Sequence, residues 1–187
     1  MRVRKKHIRS LVERLLAHNG VKSAPVPVED IAQALGIEVR HTPAEEHLSG
    51  FLVRAPGTGR AIMGINKNQH PNRRRFSIAH EIGHFLLHPG QDIYVDERSE
   101  SGLTVNLRGE DASAGTNPEE IEANMFAAEL LMPIALLKAD LASTGTLDFL
   151  DDDSLERMLA GLAKKYGVSK QALTYRLANL AYVNQSA

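Results

Sequence analysis

The chain has 187 residues, 43% of them hydrophobic and 24% charged, which is the makeup of an ordinary globular protein with one good core and room for a small appendage. A formal net charge of -1 supplies no global attraction to nucleic acid or to a membrane surface. Cysteine is absent, which excludes disulfides, thiolate metal sites and cysteine nucleophiles.

The opening stretch Met1-Arg2-Val3-Arg4-Lys5-Lys6 runs on into Arg9, Glu13 and Arg14 instead of an apolar segment. No export signal is expected, and no apolar run reaches the length of a membrane span, so the expected location is the cytoplasm. Ile8, Leu11, Val12, Leu15 and Leu16 recur at helical spacing and Asn19-Gly20 is a stop signal, which predicts an amphipathic helix. Its basic lead-in reads as a solvated helix start. A second short helix is predicted from about Val28 to Leu35, behind Pro25 and Pro27 and ahead of Gly36.

Ile37 to Arg40 alternates like a strand, and Gly50 to Arg54 and Ala61 to Ile65 are two more. The connection Ala55-Pro56-Gly57-Thr58-Gly59-Arg60 has the composition of a hairpin turn. The expected sheet is small and mainly antiparallel, with an edge able to pair with an extended peptide.

The next helix is predicted from Asn72, as its cap, to about His88, where Pro89-Gly90 ends it. It carries His80-Glu81-Ile82-Gly83-His84. Two histidines four apart share one helix face and can bind one metal ion, while Glu81 beside them can serve as general base toward water. A glycine at position 83 is unfavourable in a helix and implies close packing against it.

Residues 91–118 read as a long polar connection able to cover a cleft. Asn117-Pro118-Glu119-Glu120 then starts a helix that runs to Leu131 and stops at Met132-Pro133, followed by a short helix from Ile134 to Leu141. Asp151 to Ser154 cap a helix from about Leu155, and Ser169 caps the last, from Lys170 to about Tyr182. The stretch from Leu162 to Leu177 reads like a helix-turn-helix, with Lys164, Lys165, Lys170 and Arg176 as candidate phosphate contacts. The run Asp151-Asp152-Asp153 opposes DNA binding, so structure or substrate docking is the favoured reading.

Two histidines need a third protein ligand for a catalytic zinc. The metzincin spacing would put a histidine at position 90, which is Gly90, and His88 is assigned to packing or helix C-terminal capping. The acidic start of the later helix offers Glu119, Glu120 and Glu122. Glu120 is chosen because Asn124 lies four residues on, on the same shallow face, where it can hydrogen-bond a ligand histidine. Glu122 is the alternative. Tyr94 and Arg73 are candidate oxyanion stabilisers.

Two ordered blocks, Gly64-Ile65-Asn66 through His88-Pro89 and Glu120-Ile121-Glu122-Ala123-Asn124-Met125-Phe126-Ala127-Ala128-Glu129-Leu130-Leu131-Met132-Pro133, resemble the ImmA/IrrE metallo-endopeptidases. The likeness covers about residues 25 to 135. It implies a gluzincin-like zinc peptidase with Zn2+ on His80, His84 and Glu120, Glu81 as base, and a repressor or related regulator as substrate. The loop 91–118 is longer than the family pattern, and no repressor-like domain precedes the core, so the substrate is expected to be a separate chain. The expected architecture is therefore α+β: a small, mainly antiparallel sheet packed on a zinc-binding HExxH helix. It divides into an amphipathic helix at 1–24, a metallopeptidase core at 25–149 and a helical C-terminal segment at 150–187.

Overall fold

Ile8, Val12, Leu15 and Leu16 all turn inward from the first helix, α1 (Lys5–His18), as their spacing requires. The computed structural model describes residues 3–55, 57–89, 93–97, 118–143 and 152–185. Within them α2 (Val28–Ala34) leads to β1 (Ile37–Thr42), β2 (Leu48–Ala55) and β3 (Arg60–Asn66). The long helix α3 (Pro71–Leu87) follows, then β4 (Ile93–Glu97), α4 (Pro118–Leu131), α5 (Ile134–Ser143), α6 (Asp152–Tyr166) and α7 (Lys170–Gln185).

The fold is α+β, but the sheet is mixed. Its order is β1-β3-β2-β4; β2 pairs antiparallel with both β3 and β4, whereas β1 pairs parallel with β3 from Ile37↔Ala61 to Thr42↔Asn66. The expected hairpin forms between β2 and β3. The parallel pair arises because β3 inserts between β1 and β2, so these two strands, consecutive in sequence, are not neighbours in the sheet.

Asn66 makes that insertion work. It is 2% exposed at the end of β3, under the chain that crosses from β1 to β2. Its Nδ2 donates to the carbonyls of Ala44, Glu45 and Leu48, and its Oδ1 accepts from the backbone N–H of Ala44 and of Asn68. A crossing loop would otherwise leave several backbone groups unsatisfied near the core.

β4 occupies part of the region read as one polar connection. It is a short edge strand held by β2 from Val53↔Ile93 to Leu48↔Glu97, with a bulge between Leu48 and Gly50. The remainder of the expected cleft-covering loop, 98–117, lies outside the described residues.

α3 packs along β2 and β3 on one side and along α4 on the other, burying Ile78, Ala79, Ile82 and Leu87. α6 and α7 join the same core through Leu162, Tyr166, Leu173 and Leu180. Among the described residues no helix is long and apolar enough to cross a membrane.

Candidate metal centre

The cap of α3 lies two residues earlier than the sequence implied. His70 is the N-cap, its Nδ1 accepting from the backbone N–H of Asn72 at 3.2 Å, and Pro71 occupies the first helical position. Asn72 instead reaches the last turn: its Nδ2 donates to the Val168 carbonyl, 2.9 Å away, between α6 and α7.

From this helix His80 and His84 turn the same way, with their Nε2 atoms 3.0 Å apart. Glu120, in the first turn of α4, brings Oε2 to 3.3 Å from His80 Nε2 and Oε1 to 3.1 Å from His84 Nε2. One ligand atom from each of the three lies within 4.8 Å of the others, a spacing that can hold a metal ion. Both rings are buried, while the Glu120 side chain is 40% exposed, so the group opens to solvent on the carboxylate side.

The outer nitrogens show what the inner ones offer. His80 Nδ1 lies 3.0 Å from Asn124 Oδ1. Because that oxygen only accepts, Nδ1 carries the hydrogen and the Nε2 lone pair faces Glu120. His84 Nδ1 lies 3.2 Å from His88 Nδ1.

Burial lowers the His84 pKa; the Glu120 carboxylate beside it opposes this, and the neighbouring His80 adds to it. Burial alone would raise the Glu120 pKa, but the neighbouring His80 and His84 outweigh that and hold it well below the usual carboxylate range. A neutral imidazole and an ionised carboxylate are the states that bind a metal.

Glu81 is fully buried, on the side of α3 that meets β2. An added Cβ at Gly50 would sit 3.0 Å from the Gly64 carbonyl oxygen and 3.3 Å from Ile65 Cδ1, so glycine there answers to the close approach of β3, with Glu81 Oε1 at ordinary contact distance, 3.6 Å. Gly83 answers to the opposite neighbour: an added Cβ would sit 3.1 Å from Ala123 Cα and 3.2 Å from Phe126 Cβ. The absence of a side chain lets α4 approach closely enough to bring Glu120 to the histidines.

The other two glutamates do not reach the group. Glu122 is turned to the N-terminal segment, where Arg4 binds both of its oxygens, and its Oε2 lies 3.3 Å from His88 Nε2. Glu119 acts on Arg4 through its charge. Arg4 is therefore not the solvated lead-in that a terminal run of charges suggested.

Arg54, on β2, was also not legible. Its Nη2 donates to the carbonyls of His84, Phe85 and His88 at 2.9, 2.8 and 3.2 Å, and its guanidinium lies 4.7 Å from the Phe85 ring centre. The sheet thus caps the end of the histidine-bearing helix with a cation. Of the two candidate oxyanion stabilisers, Arg73 donates to Ser49 Oγ at 2.9 Å and lies over the Phe76 ring, while the Tyr94 side chain is outside the described residues.

Residues 32–178 match the IrrE N-terminal-like domain, a peptidase family, and that match spans the whole His-His-Glu group. The chain belongs to this family. Among curated relatives it is 32% identical over 119 residues to the radiation response metalloprotease IrrE of Deinococcus radiodurans, covering 62% of this chain and 30% of that protein. Against the radiation response metalloprotease IrrE of Deinococcus deserti it is 32% identical over 120 residues, covering 63% of this chain and 36% of the relative. The aligned region is thus about a third of the length of these IrrE proteins. A solved structure of a Mycobacterium tuberculosis transcriptional regulator superposes with a TM-score of 0.53 at 17% identity, over 92% of this chain and 47% of that one, a likeness of fold.

In this IrrE-like chain the four cations considered for DNA contact are mostly spent on internal pairs. Lys165 Nζ lies 2.6 Å from Asp140 and Lys170 Nζ 2.6 Å from Glu156. Arg176 is buried against Glu129 and the Met132 carbonyl. Lys164 stays exposed. The turn between α6 and α7 docks on α3 through Asn72.

Proposed function

We propose that this IrrE-like chain is a zinc-dependent, gluzincin-like endopeptidase of the cytoplasm that cleaves a separate repressor-type regulatory protein. The observation that carries this reading is the convergence of two imidazole nitrogens and one carboxylate on a single point, each histidine oriented from behind by a second polar side chain.

His80, His84 and Glu120 would hold the ion. A divalent metal with three such ligands and an open position polarises a carbonyl and acidifies water. The rest is the work of the chain itself. Glu81, on the same helix as both histidines, takes the proton of the attacking water and gives it to the leaving amine. It is fully buried on the helix that carries both histidines. Asn124 fixes the His80 ring, and Arg54 holds the helix end that carries His84. The partly exposed Glu120 marks the side from which a peptide reaches the group.

The test is Glu81→Gln. Purified wild-type and variant chains are incubated with the regulator encoded beside them, with zinc or with chelator, and the products read by mass spectrometry. Zinc content should match in the two proteins, while cleavage falls by about 10²–10⁴-fold in the variant and in chelator. Cleavage that persists in Glu81→Gln ends this mechanism.

A further inference from the structure

A chain of contacts leads from the N-terminal segment to a proposed metal ligand. Arg4 surrounds the Glu122 carboxylate: its backbone N–H donates to Oε1 at 2.8 Å, and its Nε lies 3.0 Å from each oxygen. Nη2 completes the pair with Oε2 and also donates to the Leu87 carbonyl at 3.2 Å, the residue just before His88. Glu122 is 1% exposed and His88 is 5% exposed, so neither relies on solvent to satisfy it.

Only one arrangement of hydrogens satisfies this sequence of contacts with neutral rings. Glu122, ionised beside Arg4, can only accept, so His88 Nε2 carries a hydrogen toward it across 3.3 Å. His88 Nδ1 is then a lone pair, and the Nδ1 that faces it, on His84 at 3.2 Å, must donate. His84 Nε2 is left as a lone pair directed at Glu120 and His80. The opposite tautomer of His84 would put a hydrogen where the metal belongs.

We infer that Arg4, Glu122 and His88 are positioning residues that fix the tautomer and ring plane of His84, making the N-terminal segment part of the metal centre. The inference rests on the metal reading given above. It adds a role for three residues that touch neither ion nor substrate. It also gives the two ligand histidines different supports: an amide from α4 behind His80, and a relay through His88 and Glu122 to Arg4 of the N-terminal segment behind His84.

The test uses the full chain with zinc or cobalt(II) as probe. Zinc affinity is measured by competition with a chromophoric chelator, and the visible bands of the cobalt(II) form report the ligand geometry. His88→Leu removes both bonds of the relay and should weaken zinc by about 10–100-fold, with altered cobalt bands. His88→Gln keeps one acceptor and one donor and should return within about threefold of wild type. Glu122→Leu, which removes the acceptor, and Arg4→Met should fall with His88→Leu. Arg9→Gln, which loosens α1 at a different ion pair, should leave affinity and bands unchanged. If His88→Leu binds zinc like wild type, or if Arg9→Gln weakens it equally, the relay is only structural and the inference is overturned. Should His88→Leu fail to fold, the same comparison is made with Glu122→Leu. A wild-type chain that takes up no zinc, or binds it undiminished in His80→Ala, overturns the metal reading itself and the inference with it.

Discussion

His80 on α3 and Asn124 on α4 meet with Nδ1 3.0 Å from Oδ1, so the helix that supplies Glu120 also orients the first histidine. One docking event between two helices therefore sets two features of the site. Asn124→Ala keeps the helix but removes the acceptor, and zinc affinity should fall about 10–100-fold. Asn124→Asp restores an acceptor and should recover most of it. Chelator competition on the folded proteins gives both values, and equal affinity in wild type and Asn124→Ala would show that the ring needs no such support.

Gly83 predicts two opposite signs for one kind of substitution. Alanine is favoured over glycine by about 1 kcal/mol within a helix. At position 83 the new methyl would press on the Ala123 and Phe126 of α4 at 3.1–3.2 Å, an overpacking that costs about 1–3 kcal/mol. At Gly161 in α6 nothing lies within 4 Å. Urea unfolding should show Gly83→Ala destabilised and weakened in zinc binding, and Gly161→Ala stabilised by about 0.5–1 kcal/mol. A stabilised Gly83→Ala would mean that α4 does not need this close approach.

Arg54 offers a test of how the sheet holds the metal helix. Arg54→Met keeps the apolar stem but removes the donor shared by three carbonyls at the end of α3. Hydrogen bonds from a charged group are worth about 1.5–3 kcal/mol each at most, and one nitrogen shared among three acceptors gives a loss of about 2 kcal/mol overall. Thermal unfolding measures it. Hydrogen exchange should also rise selectively at the last turn of α3, and a uniform rise would point to global loosening instead.

The helices and the paired histidines were legible because their signals are local: apolar spacing, caps, stop residues and one pentapeptide. Glu120 was reachable too, since its partner Asn124 lies on the same helix face. The parallel β1–β3 pair was not, because it depends on β3 inserting between earlier strands and on Asn66 pegging the crossing chain. β4 was hidden in a polar stretch whose five residues form a strand only because β2 has a free edge to offer. Arg4, His88 and Arg54 share a third reason. Each acts across thirty or more positions of sequence, as in the Arg4–Glu122 contact at a separation of 118, and no local pattern marks a charge that will be buried against a distant partner.

Glu129 carries a prediction about acid. It is buried on α4 between Arg9 of α1, 3.0 Å away, and Arg176 of α7, whose Nη1 donates at 2.8 Å, so one carboxylate ties together the first, central and last helices. Burial alone would raise its pKa, but the bonds from Arg176 and then Arg9 prevail and hold it below the ordinary value of 4.5. A carboxylate with a depressed folded pKa stabilises the fold above its unfolded pKa, and that contribution is lost as pH falls from about 4.5 through the folded value. Glu129→Gln removes the charge at every pH and strands the buried Arg176, which costs about 3–5 kcal/mol at pH 7. Protonated Glu129 resembles that glutamine. The stability gap between wild type and Glu129→Gln, measured by urea unfolding, should therefore be widest at neutral pH and close progressively below about pH 4.5, because every other carboxylate titrates alike in both proteins. A gap that stays constant down to pH 3 would show that the carboxylate contributes through shape and neutral hydrogen bonding, and that its charge does not hold the three helices together.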